Sequence, residues 1–276
     1  MGELLAVLSA LVWGSADFGG GMFAKRHVAY LTVLFSQSAA LVAVIIAGLL
    51  TSSLHLHHQL VWAMLAGVVG ATALSLYYRA LSIGPMGIVG PVSATGGVVP
   101  VVVGIALGER PDALQLLGLA GCIIGVAVVS SGHHDRLSRA NLKVLGLSAL
   151  AALGFGTAYV ALAQSAPAGV LATLAVQRIT SVAMMGSFAL FRRDKFSLTK
   201  KDSMGIAAIG VMDVTANGLF ALSSRLGNLS IVGALGSTYP LTTAILAALI
   251  NKERLNRVQL LGAALTLASV VVVSAA

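Results

Sequence analysis

A chain of 276 residues that is 58% hydrophobic and only 9% charged, with a mean hydropathy of +0.96, has too few polar side chains to cover a water-soluble core. The bilayer must solvate most of its surface, which excludes a soluble domain and leaves a polytopic membrane protein. The net charge of +8 calls for no nucleic-acid partner, because Lys and Arg collect in short cytoplasmic loops of such proteins.

Cutting the chain at its polar punctuation predicts ten spanning helices, over 4–22, 30–50, 60–82, 85–107, 113–131, 143–163, 168–191, 203–224, 229–250 and 257–275. The first run, MGELLAVLSALVWG, carries Glu3 and no basic residue ahead of its apolar stretch, so it reads as a spanning helix and not as a cleaved signal. Several connections, such as Gly84-Pro85 and the turns at Gln164 and Arg225, are a few residues long. Short turns force successive helices to pack as antiparallel hairpins. The single cysteine, Cys122, lies in an apolar run and reads as a packed thiol.

The stretch Arg79–Ser131 returns, altered, as Ser224–Ala275. Setting Glu109-Arg110 on Glu253-Arg254, a shift of 253 − 109 = 144, also superposes Gln115-Leu116-Leu117-Gly118 on Gln259-Leu260-Leu261-Gly262. Agreement at Glu, Arg, Gln and Gly in one register marks an internal repeat. Ten helices then divide into five and five, at residues 1–138 and 139–276. Five being odd, the second half enters the membrane in the opposite sense. The expected fold class is an all-α polytopic membrane protein of ten transmembrane helices, arranged as two inverted-topology five-helix repeats.

Basic residues set the expected orientation. Odd-numbered connections hold Lys25, Arg26, Arg136, Arg139, Lys143, Arg192, Arg193, Lys195, Lys200, Lys201, Lys252, Arg254 and Arg257, while even-numbered ones hold Arg110 and Arg225. The positive-inside rule then places both termini away from the cytoplasm. Pro91 and Pro100 in the fourth helix and Pro240 in the ninth are expected to kink them. Pro100 precedes Glu109 by nine residues and Pro240 precedes Glu253 by thirteen, so these kinks are expected to differ by about one helical turn.

These features together resemble the ten-helix EamA family of the drug/metabolite transporter superfamily. The residues that carry the likeness are Trp13-Gly14, Arg79-Ala80-Leu81 before the Gly-rich turn, Pro100, Leu107-Gly108-Glu109-Arg110, Gln115 and Gly118, echoed by Pro240, Glu253, Gln259 and Gly262. The likeness covers nearly the whole chain. It departs from the family at Lys252, which replaces a Gly, and at Ser38, which stands where the second-helix arginine is common; Arg178 keeps the equivalent position in the seventh helix. The resemblance implies a secondary transporter in the bacterial inner membrane, with small polar metabolites such as amino acids as substrates and export as direction.

Ionisable groups inside spanning helices are costly and therefore mark function. Asp17, Arg178 and Asp213 meet that description. Arg178 and Asp213 sit near the middles of their helices and are placed to pair, either as a structural ion pair or as a cavity wall with Asn217 one turn away. Asp17 lies one turn from Trp13, and Arg79 is placed to pair with it. Alternatively Asp17 takes up a proton as coupling ion, being similar in place to the first-helix glutamate of the related small multidrug-resistance transporters. Trp13, Tyr77, Tyr78, Tyr159 and Tyr239 are candidates for an amphipathic cavity wall; Tyr77 and Tyr78, near a helix end, read better as an interfacial belt. Gln37 and Gln177 hold equivalent places and bond either across the halves or locally.

His55, His57, His58, His133 and His134 fall in loops without supporting carboxylate or thiol spacing, so no metal site is expected. No Walker loop, dinucleotide fingerprint or nucleophile motif occurs, so neither a cofactor nor enzyme activity is expected. The expected partners are a small-molecule substrate, a proton and the lipid bilayer. A drug or quaternary-ammonium efflux carrier is the second reading, with an acidic and aromatic cavity; a membrane-embedded enzyme or sensor is the third. Arg178 favours a substrate bearing a carboxylate or phosphate.

Overall fold

The computed structural model describes residues 1–84, 86–130, 139–194, 197–250 and 257–275. Pro85, the junction around residues 131–138 and Glu253 of the second repeat motif lie outside them. The described residues form α1 (Gly2–Ala24), α2 (Ala29–Leu50), α3 (Leu60–Ile83), α4 (Met86–Ala94), α5 (Val98–Ala106), α6 (Ala113–Ser130), α7 (Arg139–Ser165), α8 (Val170–Arg192), α9 (Lys200–Ser224), α10 (Leu229–Gly236), α11 (Tyr239–Ile250) and α12 (Arg257–Ala275). Each of the ten expected spans is present, the fourth as α4 with α5 and the ninth as α10 with α11. Leu50, Leu117, Leu190, Phe191, Leu249 and Leu261 are among the large side chains left exposed. Such an apolar outer surface is stable only against lipid.

The two broken spans correct the expectation about proline. The fourth is interrupted by a 3₁₀ turn at Thr95–Gly97 and the ninth at Ser237 and Thr238. Pro100 and Pro240 lie in the first turns of α5 and α11, where a helix leaves its N–H groups unpaired in any case. They start the second half-helix of each span instead of bending a continuous one. Pro91 lies within α4, ahead of the interruption, and its side chain is outside the described residues. Gly90 and Gly233 are 233 − 90 = 143 positions apart, and a Cβ on Gly90 would meet Pro240 at 3.4 Å while one on Gly233 would meet Pro100. On this register the two interruptions fall within two residues of each other. The breaks are therefore offset by less than the expected helical turn, because the prolines differ in place more than the breaks do.

The halves are interleaved. α1 packs on α9 as α3 packs on α7, and α2 on α9 as α3 on α8; α2 meets α8, α5 meets α10, and α6 meets α12. The α1–α9 and α2–α9 contacts thus have their counterparts in α7–α3 and α8–α3. Gly67 and Gly210, again 210 − 67 = 143 positions apart, show why: a Cβ on Gly67 would strike the carbonyl of Gln177 in α8, and one on Gly210 the carbonyl of Ser36 in α2. Small residues let these backbones touch. Hydroxyls then bond across the seams, Ser9 Oγ to the Ala216 carbonyl at 2.8 Å and Ser181 Oγ to the Gly67 carbonyl at 3.0 Å. α12 packs chiefly on α6, and this pair stands to one side of the bundle.

Polar contacts tie the halves near both membrane faces. At the face of the α1–α2 turn, His27 Nε2 lies 3.4 Å from Asp202 Oδ2, and the Tyr30 hydroxyl donates to Asp194 at 2.8 Å. At the face of the N-terminus, Gly108 adopts a φ of 101°, a left-handed conformation suited to glycine. The chain then presents Glu109 to the start of α10, where its carboxylate accepts from the Leu229 and Ser230 N–H groups at 2.6 and 2.9 Å. A carboxylate at a helix N-terminus satisfies unpaired donors and opposes the positive end of the helix dipole.

Candidate functional site

Between the halves lies a cavity with about 570 Å³ of empty space, its mouth included. Helical spacing aims the polar side chains into it. Trp13 and Asp17 are one turn apart on α1, Gln177, Arg178 and Ser181 share a face of α8, and Asp213 and Asn217 are one turn apart on α9. Gln37 of α2, Phe155 and Tyr159 of α7, Leu74 of α3 and Tyr239 of α11 complete the wall. Ala66 and Gly70 lie toward the start of α3, Leu162 toward the end of α7, and Gln177 toward the start of α8. The cavity therefore reaches from mid-membrane toward the N-terminal face, and the His27 and Tyr30 contacts lie at the opposite one.

Arg178 and Asp213 pair as expected, with Arg178 Nη2 3.0 Å from Asp213 Oδ2 and only 4% of the arginine side chain exposed. Gln37 joins them across the half-to-half boundary, accepting from Arg178 Nη1 and donating from Nε2 to Asp213 Oδ2 at 3.2 Å. Asn217 Nδ2 donates to Asp213 Oδ1 at 3.3 Å and to its backbone carbonyl at 2.7 Å. Gln177 stays within the second half, where its Nε2 donates to Asn217 Oδ1 at 3.3 Å. The equivalent glutamines thus take different roles: one bonds across the halves and the other locally.

Asp17 sits apart from this network. It is 8% exposed, borders the cavity, and forms no ion pair among the described residues. The Tyr77 hydroxyl lies beside it, and Asp213 is the charged group that acts on it, with a charge of the same sign. The expected Asp17–Arg79 pair is not made. Tyr77, Tyr78 and Leu81 occupy the buried face of α3, and Arg79, rotated away between them, is exposed. Tyr77 and Tyr78 are 0% and 1% exposed, so they are core residues behind Asp17 and not an interfacial belt.

The remaining aromatics form one wall. Trp13 stacks on Tyr159 with ring centroids 5.1 Å apart and interplanar angle 25°, and Phe220 packs on both at 5.6 and 4.9 Å. Tyr239 meets Tyr77 edge-on at 6.4 Å. Of the substrate-binding or coupling candidates read from sequence, the cavity gathers all except Tyr77, Tyr78 and Arg79. Sequence reading missed Ser181, Phe155 and Phe220. Ser181 lies one turn beyond Gln177 and Phe155 one turn before Tyr159, so helical spacing held a signal for both. Phe220, three residues beyond Asn217 and seven beyond Asp213 on α9, carried the same signal.

Ten apolar spans in two interleaved halves, with charged groups at mid-depth between them, define a repeat-built polytopic membrane protein. Comparison with known families makes this specific: the EamA-like transporter family matches residues 1–131 and again 142–275. The chain belongs to that family, within the drug/metabolite transporter superfamily, and its spans carry the family's two-repeat architecture. Among solved structures, 28 chains match. One of them, titled "Crystal structure of protein", aligns over 99% of this chain and 96% of its own with a TM-score of 0.81 at 16% identity, a likeness of fold. No individually curated protein matches the chain.

Proposed function

We propose that this member of the family is a secondary transporter that exports small polar metabolites, amino acids in the range its resemblance implies, by alternating access between two inverted five-helix repeats at 1–138 and 139–276. The observation that carries this reading is the cavity itself. Its charged and amide groups come from both halves, Asp17 and Gln37 from one and Arg178 and Asp213 from the other, so a relative movement of the halves would rebuild it. The matched interruptions of the fourth and ninth spans supply places for the spans to flex. A proton as coupling ion would need an ionisable group in the cavity, and Asp17 is the group not committed to an ion pair. With basic loops inside, the His27 and Tyr30 contacts lie at the cytoplasmic face of a bacterial inner membrane and both termini lie outside.

Purified protein in proteoliposomes, loaded with a labelled panel of amino acids, amines and organic acids, is expected to release at least one solute faster than protein-free vesicles do. Asp213→Asn is expected to stop that release while the protein still inserts. Release of no solute in either orientation overturns the transport reading, and unchanged release by the variant removes Asp213 from the mechanism. A reporter active only in the cytoplasm is expected to be silent when fused after Ala276; activity there inverts the orientation.

A further inference from the structure

We infer that the face opposite the cavity mouth carries a binding surface for anionic phospholipid headgroups, formed where α1 and α2 of the first half meet α8 and α9 of the second. It is built from six basic side chains, all exposed: Lys25 and Arg26 in the α1–α2 turn, Arg192 and Arg193 at the end of α8, and Lys200 and Lys201 at the start of α9. Two contacts bring them together. His27 Nε2 lies 3.4 Å from Asp202 Oδ2, which sets the α1–α2 turn beside the first turn of α9. The Tyr30 hydroxyl donates to Asp194 at 2.8 Å, which sets the start of α2 beside the end of α8.

The carboxylates at this surface are used within it. Asp202 faces His27, while Asp194 accepts from Tyr30 and lies 3.5 Å from Arg192 Nε. Among the described residues, Lys25, Arg26, Arg193, Lys200 and Lys201 enter no ion pair. Lys200 and Lys201 stand in the first turn of α9, where the positive end of the helix dipole adds to their charge instead of opposing it. Arg193 holds a φ of 53°, a left-handed conformation that costs arginine more than glycine. The mouth face differs, since there Arg110 and Arg225 stand with Glu3, Glu109 and Asp112.

Charge alone suits any anion; the neighbouring side chains favour a lipid. Val28 in the turn, Phe191 beside Arg192 and Met204 one turn beyond Lys200 are 44%, 85% and 66% exposed. Apolar chains at the level of basic ones match the boundary between acyl chains and phosphates, and Lys and Arg stems reach from that boundary to the headgroups. The six basic residues come from both halves, at the face where the halves touch. Headgroups bridging them hold the halves closed there and leave the cavity open on the other side.

The test uses the purified full chain in a neutral detergent and follows its unfolding midpoint during titration with dioctanoyl phosphatidylglycerol, dioctanoyl phosphatidylcholine or, for the headgroup alone, glycerol phosphate. Phosphatidylglycerol is expected to raise the midpoint saturably, with an apparent affinity at least about tenfold above that of phosphatidylcholine and of glycerol phosphate. Removing two charges, as Lys200→Gln with Lys201→Gln or as Lys25→Gln with Arg26→Gln, should lower that affinity about tenfold. Arg110→Gln with Arg225→Gln, on the mouth face, should leave it within about twofold. Bridging is read from Ala29→Cys in a chain carrying Cys122→Ser. Ala29 is 8% exposed at the start of α2, and its labelling by an uncharged polyethylene-glycol maleimide is expected to slow at least about threefold when phosphatidylcholine nanodiscs are replaced by phosphatidylglycerol ones. Equal effects of the two lipids, an equal effect of glycerol phosphate, an equal loss in the Arg110 and Arg225 variant, or unchanged labelling overturns the proposal. The lipid comparison on the parent chain decides the matter if a double variant does not fold. Stabilisation by phosphatidylglycerol without flux of any solute in proteoliposomes keeps this surface and removes the transport reading. Flux with equal stability in both lipids does the opposite.

Discussion

On the α8–α9 side of the cavity, Asp213 has a guanidinium 3.0 Å away and amide donors from Gln37 and Asn217. On the α1 side, Asp17 is the more deeply buried of the two but has the Tyr77 hydroxyl beside it and a like charge across the space. The difference separates two uses of a buried carboxylate. A charge paired by the protein fixes helices in place, and removing its partner leaves the other charge stranded. A charge left unpaired contributes nothing of that kind to the fold and is free for a ligand.

The largest effect on stability is therefore expected at Arg178. Arg178→Met fills a similar volume but strands Asp213, and breaking a buried pair in this way costs about 3–5 kcal/mol. Thermal unfolding in detergent should show a marked loss, recovered in part when Asp213→Leu is added and both charges are gone. Next comes Gln37→Leu, which deprives Arg178 of an acceptor and Asp213 of a donor at once. Its expected cost is about 1–3 kcal/mol. A stability equal to the parent's would mean that water replaces the amide and that the two halves are not tied at this point.

How far the sequence exposed this arrangement depends on the kind of signal involved. The ten spans were legible because hydropathy and short polar turns encode them directly, and the repeat because Glu, Gln and Gly recur in register among residues that otherwise match by chance. Arg178 and Asp213 were legible as a pair because charge at the middle of a spanning helix is rare. Arg79 was misread for a rotational reason: on a helix the residue after Tyr77 and Tyr78 turns a further 100° away from the core, which distance from a helix end does not reveal. Pro100 and Pro240 were misread because a proline inside an apolar run looks the same whether it bends a helix or begins a new one. The partner of Glu109 was out of reach, since its bonds go to backbone N–H groups of Leu229 and Ser230 in the other half, and backbone donors leave no mark in a sequence.

That last contact gives a smaller prediction, away from the cavity. Glu109→Gln keeps an amide oxygen for one of the two N–H groups but loses the charge that opposes the α10 dipole, at an expected cost of about 1 kcal/mol. Because the cap joins the halves at the N-terminal face, its loss should also raise proteolytic or thiol-labelling access there. Unchanged stability and access would show that Leu229 and Ser230 find other acceptors.

The smallest expected change in stability is at Asp17, and it tests the comparison most directly. Asp17→Asn removes a carboxyl that no cation balances, so nothing is stranded by its loss, and the amide keeps the shape of the site. Burying an amide beside Tyr77 is less costly than burying an unpaired carboxylate, so the unfolding midpoint should stay level or rise, within about 1 kcal/mol of the parent. Transport should fall in the same variant. If Asp17→Asn instead destabilised the protein as much as Arg178→Met, Asp17 would have to be paired within the fold, and the two sides of the cavity would be alike. Retained stability with lost transport would leave its carboxyl serving the substrate alone.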